Sequence, residues 1–213
     1  MVTLLRRLDE CRRSSDRVSV NLMRPLLQRQ LTIAWSNSIN KDYCARRINS
    51  ERSLQASFWS QLNLVLHPKN RRMFIEPRFV LDFQSNAVYL IPDIVICNTK
   101  SVIAVIELKY QPRVLPSYKK DIETLQLLSK HREHLSFANN RFRGVGGKTI
   151  EYPFSESVLF VWAGVHRKPI DSYLPQSVPM LSTGIHELDG CFLQLHAETE
   201  HGKTPNVFRR FRT

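Results

Sequence analysis

The chain has 213 residues, 42% of them hydrophobic, which suffices for one substantial core and argues against two independent domains. Thirty-one Lys and Arg against 19 Asp and Glu leave a net charge of +12, which disfavours basic partners and favours a polyanion, with nucleic acid as the natural candidate. Cys11, Cys44, Cys97 and Cys191 form no Cys-x-x-Cys pair, and no stretch is apolar enough to span a bilayer or to act as a secretory signal, so an intracellular, cytoplasmic protein with no membrane partner is expected.

Residues 1–48 read as a basic helical N-terminal arm. Val2 to Arg12 forms one short element and Val18 to about Ile39 another, with Asp16 as a cap, Pro25 as a kink, and Met23, Leu27, Leu31 and Ala34 as its stripe. Residues 1–50 hold ten basic and four acidic side chains. The arm either covers one face of a sheet or serves as a DNA-contacting or dimerising element, so a homodimer or a complex with a partner protein is open.

The next element, Asn49 to Leu62, is a helix with Asn49 or Ser50 as N-cap and an apolar stripe of Leu54, Phe58, Leu62 and Val65, which Glu51 continues by one turn. A strand is expected from Met73 to Leu81. Pro92-Asp93 then leads into IVICNTKSVIAVI and Glu107-Leu108-Lys109. A turn at Asn98-Thr99-Lys100-Ser101 folds this run into an antiparallel hairpin that returns Glu107 to Asp93. Alternation along the second strand puts Glu107 and Lys109 on one face, with Ile106 and Leu108 on the other.

Two acids and a lysine so placed suit a metal-dependent phosphodiesterase. Mg²⁺ takes oxygen ligands and commonly only one or two protein carboxylates, so Asp93 and Glu107 could supply the pair. Lys109 would orient a water or stabilise charge on the pentavalent phosphorus.

These residues, Pro92-Asp93 with Glu107-Leu108-Lys109, resemble the signature of the PD-(D/E)xK, or restriction-endonuclease-like, nuclease superfamily, matching every motif letter. The resemblance implies an α/β fold with an αβββαβ core and a mixed central sheet, here spanning residues 49–168. It also implies Mg²⁺ or Mn²⁺ as cofactor and DNA, rather than RNA, as substrate. Asp93 and Glu107 would be metal ligands, with the carbonyl of Leu108 adding a further one. Glu51, on the preceding helix, is carried over as an accessory ligand or water-positioning acid, and Lys109 as the transition-state cation.

Downstream, Pro116 precedes a helix from about Ser117 to His131 with Ile122, Leu125 and Leu128 on one face; Lys119 and Lys120 are candidates for phosphate contacts or simply a solvated helix start. Residues 136–151 read as a basic, glycine-containing loop. Gly147-Lys148-Thr149 is not a P-loop, because the first required glycine position holds Phe142. An apolar strand follows at Val158 to Val165. Residues 169–213 form a C-terminal extension in which Gly184 to Leu188 and Cys191 to His196 flank a hairpin signal at Asp189-Gly190, ending in a mobile basic tail at Arg209-Arg210-Phe211-Arg212. His186, Cys191, His196 and His201 match no familiar zinc pattern. The leading expectation is therefore a metal-dependent DNA nuclease, with endonuclease action favoured. The alternative is a non-catalytic nucleic-acid-binding or assembly module on the same fold.

Overall fold

Apolar residues crowd the strands here so densely that both faces of the sheet must be covered. The computed structural model describes residues 24–66, 70–83, 86–139, 150–168 and 186–212. In chain order these form a helix over 24–37 (α1) with a π-helical turn Ser38–Tyr43, then α2 (Glu51–Val65), β1 (Arg72–Ile75), β2 (Phe79–Phe83), β3 (Asn86–Leu90), β4 (Ile94–Cys97) and β5 (Val102–Gln111). There follow α3 (Lys119–Lys130), β6 (Ser136–Ala138), β7 (Glu151–Arg167), β8 (Phe192–Thr199) and β9 (Asn206–Arg212).

The central sheet is mixed, in the order β1-β4-β5-β7-β8-β9, with β6 pairing along β7. β4 and β5 are antiparallel, β5, β7 and β8 run parallel, and β9 turns back antiparallel on β8. α1 and α2 cover one face, burying Leu31, Trp35, Leu54 and Phe58 against Ile106, Val161 and Leu195. α3 covers the other, with Leu125 and Leu128 against Val105, Phe160 and Trp162. All four residues of β4 are consequently buried, as a doubly covered strand requires. The protein is thus α/β with helices on both faces of a mixed sheet.

Three expectations change on contact with the structure. The strand from Met73 to Leu81 is broken: Glu76 takes a left-handed φ of 46° and Pro77 follows, so β1 joins the main sheet while β2 pairs with β3 in a separate two-stranded ribbon. Asp189-Gly190 makes no hairpin between the described part of the expected first strand, 186–188, and 191–196. Residues His186–Leu188 form a 3₁₀ turn, and the hairpin lies between β8 and β9, where Gly202 supplies the positive φ. The basic tail is β9 itself, paired along β8 from Asn206 to Arg212. Residues 1–23, the heart of the 136–151 loop (140–149), and 169–185 lie outside the described residues, and with them the first expected helix, the Asp16 cap and Lys148. No described helix is long and apolar enough to cross a membrane.

Elsewhere the local chemistry is as expected. Asn98 Oδ1 accepts from the N–H groups of Lys100 and Ser101, at 2.7 and 2.6 Å, which closes the β4–β5 turn. Ser50 caps α2 in a reciprocal box with Ser53, making Glu51 the first helical residue. On the α3 face Gly164 stands opposite Lys109, and a Cβ there would collide with the ring of Trp162. The indole therefore lies across the glycine. Gly164→Ala is expected to destabilise the fold by about 1–3 kcal/mol through this overpacking, measured by denaturant unfolding, and to shift the near-ultraviolet circular dichroism of Trp162.

Candidate active site

β5 runs on past the end of β4, and that difference builds the site. β4 begins at Ile94, opposite Ile106, so the β5 edge at Leu108 and Tyr110 has no β4 residue beside it. Side chains take the vacant positions. Asp93 Oδ2 accepts the Leu108 N–H at 2.6 Å, and Glu51 Oε2 accepts the Tyr110 N–H at 3.2 Å. Because the N–H and C=O of one strand residue leave by the same edge, the Leu108 carbonyl faces the Asp93 side as well.

Asp93 is held by its backbone too. Its carbonyl accepts from Glu76 N–H at 3.0 Å and from Gln55 Nε2 at 3.1 Å. The break after β1 and the second turn of α2 thus both grip the residue. Glu107, buried on the α3 face, hydrogen-bonds the Asp93 carboxyl. Burial foremost, then the nearby Asp93 and Asp121 carboxylates, push Glu107 up to about 10. Burial likewise lifts Asp93 to about 6, the Leu108 N–H opposing and Glu51 adding to the rise. The two acids titrate as a unit that retains a proton at neutral pH.

Lys109 stands beside them on the same face. Its ammonium lies 3.2 Å from Asp121 Oδ1 and 3.8 Å from Glu51 Oε2. Burial pulls its pKa down, but the attraction of Asp121 and Glu51 outweighs burial and holds it above the ordinary lysine value. The group stays cationic at neutral pH and is therefore a charge donor and not a general base. Asp121 is itself fixed from the far side, where Trp162 Nε1 donates to Oδ2 at 3.3 Å.

The structure brings Asp93, Glu107, Leu108, Lys109 and Glu51 together, the first four through the hairpin and Glu51 from the start of α2. Asp121, Gln55 and Trp162 were missed. Asp121 had a legible signal: it continues the buried row Leu125, Leu128 of α3 by one turn, as Glu51 does on α2. Lys119 and Lys120, singled out instead, are exposed, and Lys119 pairs with Glu123. The only other buried ionisable pair on this face is His166 and His196 among the described residues; their rings bond at 3.1 Å, and burial lowers both, His196 to about 3.

The donor set around Asp93 and Glu107 is all oxygen, four carboxyls surround one ammonium, and two of them must keep company in a dry site. That chemistry fits a hard divalent cation. Among the described residues, however, no group of three or more His, Cys, Asp or Glu converges tightly enough to hold a metal by side chains alone. A cation here would rely on Asp93, Glu107, the Leu108 carbonyl and water. Compared with protein-family models, curated proteins and solved structures, the chain matches none.

Both acids bind their proton more tightly folded than unfolded, so in divalent-free buffer their contribution to stability is greatest below the unfolded carboxylate range and is lost as pH rises toward the folded values. Glu107→Gln removes that loss. Between about pH 5 and pH 8 the stability of Glu107→Gln relative to wild type should rise by at least about 1.4 kcal/mol, one pKa unit, measured by urea unfolding without divalent cation. A constant difference across that range would show that Glu107 is not titrating in this way.

Proposed function

We propose that the chain is a divalent-metal-dependent nuclease of the PD-(D/E)xK type acting on DNA, with Asp93 and Glu107 as the metal-binding pair. The observation that carries the reading is the convergence of the two motif acids at the unpaired β5 edge, beside an ammonium that two further acids keep charged. Support also comes from the element order α2, β1, β4, β5, α3, β7, which matches an αβββαβ core once the β2–β3 ribbon is set aside. The net charge of +12 suits a polyanionic substrate.

Asp93, Glu107 and the Leu108 carbonyl would hold Mg²⁺ or Mn²⁺. Bound there, the ion would acidify a water and neutralise charge on the phosphoryl oxygens. The chain's own groups do the rest. Lys109 presents a fixed positive charge to the scissile phosphate, where negative charge grows as the nucleophile attacks. Asp121 and Glu51 hold the Lys109 head at a defined place on the sheet face, and Trp162 orients Asp121. Glu51 serves as an accessory acid at the rim. The carboxyl pair offers a polyanion no favourable contact of its own and gains one only through a bound cation, which favours cleavage over simple binding as its purpose.

The alternative is a non-cleaving nucleic-acid-binding or assembly module that keeps the fold for its basic surface. Cleavage assays decide between them. Asp93→Ala and Glu107→Ala are expected to abolish Mg²⁺-dependent cleavage of plasmid and linear DNA while DNA binding without metal persists or tightens. Wild-type protein that binds DNA yet never cuts it with Mg²⁺ or Mn²⁺ would sink the nuclease reading.

Lys109→Ala should lower the single-turnover rate at saturating DNA by roughly a hundredfold or more, the scale of one lost transition-state donor, with a much smaller change in affinity. Asp121→Asn keeps the shape and removes the charge, so it should slow the same step without altering the salt dependence of binding. Were Lys109 only a phosphate anchor, its loss would weaken binding and leave the saturated rate intact.

A further inference from the structure

The carboxyl ends of β5, β7 and β8 open onto a cleft that the proposed chemistry does not use. Ligands of open α/β sheets collect beyond such strand ends, where loops diverge. Its cavity measures about 890 Å³ and is bounded by Tyr43 and Tyr110, by Pro112-Arg113 and Arg167-Lys168, and by the β8–β9 turn. A second cavity of about 640 Å³ shares Tyr43, Tyr110 and Arg113 and continues to Arg46 and Asn49, two residues from Glu51. Together they lead from the sheet end to the catalytic edge. Tyr110 directly follows Lys109, and its N–H is the one bonded by Glu51.

The walls are built rather than incidental. Thr199 Oγ1 lies 2.5 Å from Pro112 O and 3.0 Å from His166 O, the Arg167 N–H donates to Val114 O at 3.0 Å, and the Lys168 N–H to Thr199 O at 2.9 Å. The three strand ends are thereby tied into one rim. Tyr43 and Tyr110 meet edge to face at 6.3 Å, and the Tyr110 hydroxyl is anchored on Ile48 O at 3.0 Å. Arg46, at the far end, holds a left-handed φ of 59°, an unusual conformation for an arginine and one fixed by the bond of its N–H to Tyr43 O.

Charge points to the occupant. Arg113, Arg167 and Lys168 are exposed and form no ion pair with a carboxylate among the described residues. The acid on the rim, Glu200, is already paired with Lys203 at 2.6 Å. Exposed cations beside a pair of aromatic rings in a groove are the equipment for holding an unpaired nucleic-acid strand, phosphates on the cations and a base on the rings. A duplex is too wide to enter a cavity of this size, whereas one or a few nucleotides fit. Among the described residues that line the cleft, no buried donor or acceptor set is aimed at base edges, so the grip is tolerant of sequence.

We infer that this cleft receives a single-stranded segment of DNA, so that the substrate of the proposed nuclease is duplex DNA carrying an unpaired strand that passes through the cleft toward the Glu51 edge. The inference deepens the nuclease reading and rests on it for the direction of the strand, but binding can be tested apart from cleavage.

The experiment measures fluorescence anisotropy in EDTA with full-length protein, using an oligothymidylate of about 12 nucleotides and a blunt duplex of the same length as probes. Wild type should bind the single strand more tightly than the blunt duplex. Tyr43→Ala should weaken single-strand binding roughly tenfold or more, the scale of one base–aromatic stack, and Tyr43→Phe should restore it. Arg113→Ala and Arg167→Ala, both surface changes, should each lower the salt slope for the single strand by about 0.7. They also decide the matter should Tyr43→Ala fail to fold.

Equal binding of blunt duplex and single strand by wild type, or single-strand affinity untouched by both arginine variants, would overturn the inference. Cleavage on the same samples speaks to the other reading alone. Binding with these sensitivities but no Mg²⁺-dependent cutting would fail the nuclease and keep the cleft, and cutting of blunt duplex that ignores all four variants would do the reverse.

Discussion

A strand that outruns its neighbour must do something with its exposed backbone, and β5 resolves this with carboxylates. Backbone N–H groups in a covered sheet rarely go without a partner. At Leu108 and Tyr110 the partners are Asp93 and Glu51, so the same oxygens that complete the sheet edge are those the proposed chemistry needs. Position follows from this: Asp93 is gripped at its carboxylate by β5 and at its carbonyl by Gln55 and Glu76. Three separate elements agree on where that one side chain goes. The acids are consequently part of the fold's hydrogen bonding as well as of its candidate chemistry.

Electrostatically the site runs against the rest of the molecule. The chain as a whole is strongly basic, yet this cluster gathers four carboxyls around Lys109. Burial first, and then the neighbouring carboxyls, push Asp93 and Glu107 upward, so that protons take the place a cation would fill. Lys109 escapes the fate of most half-buried lysines because Asp121 and Glu51 supply more than burial takes away.

Much of this was legible in the residues, and what was not has identifiable causes. The β4–β5 hairpin and its facing acids could be read because a tight turn and period-two alternation are local rules, and Asn98 obeys them. The α2 stripe with its leading glutamate was legible for the same reason. Asp121 is masked in the residues by Lys119 and Lys120 beside it, which suit a solvated helix start, and only its place on a buried row sets it apart. The strand after Met73 was read as continuous because its β-forming residues hide the left-handed Glu76, whose conformation is set by a long-range bond to Asp93 O. Asp189-Gly190 misled similarly: β8 finds β7 on one side and β9 on the other, and no local turn signal encodes a parallel partner.

The site's acids come from four distant parts of the chain, residues 51, 93, 107 and 121, and only Asp93 and Glu107 share a hairpin. Long-range closures of this kind, including the parallel β5–β7 pairing across α3, come late in folding because they cost loop entropy before they return contact energy. The carboxyl cluster is therefore assembled only when these distant segments meet. No short stretch of the chain carries the four acids, so the candidate site exists only in the folded molecule and is lost with it.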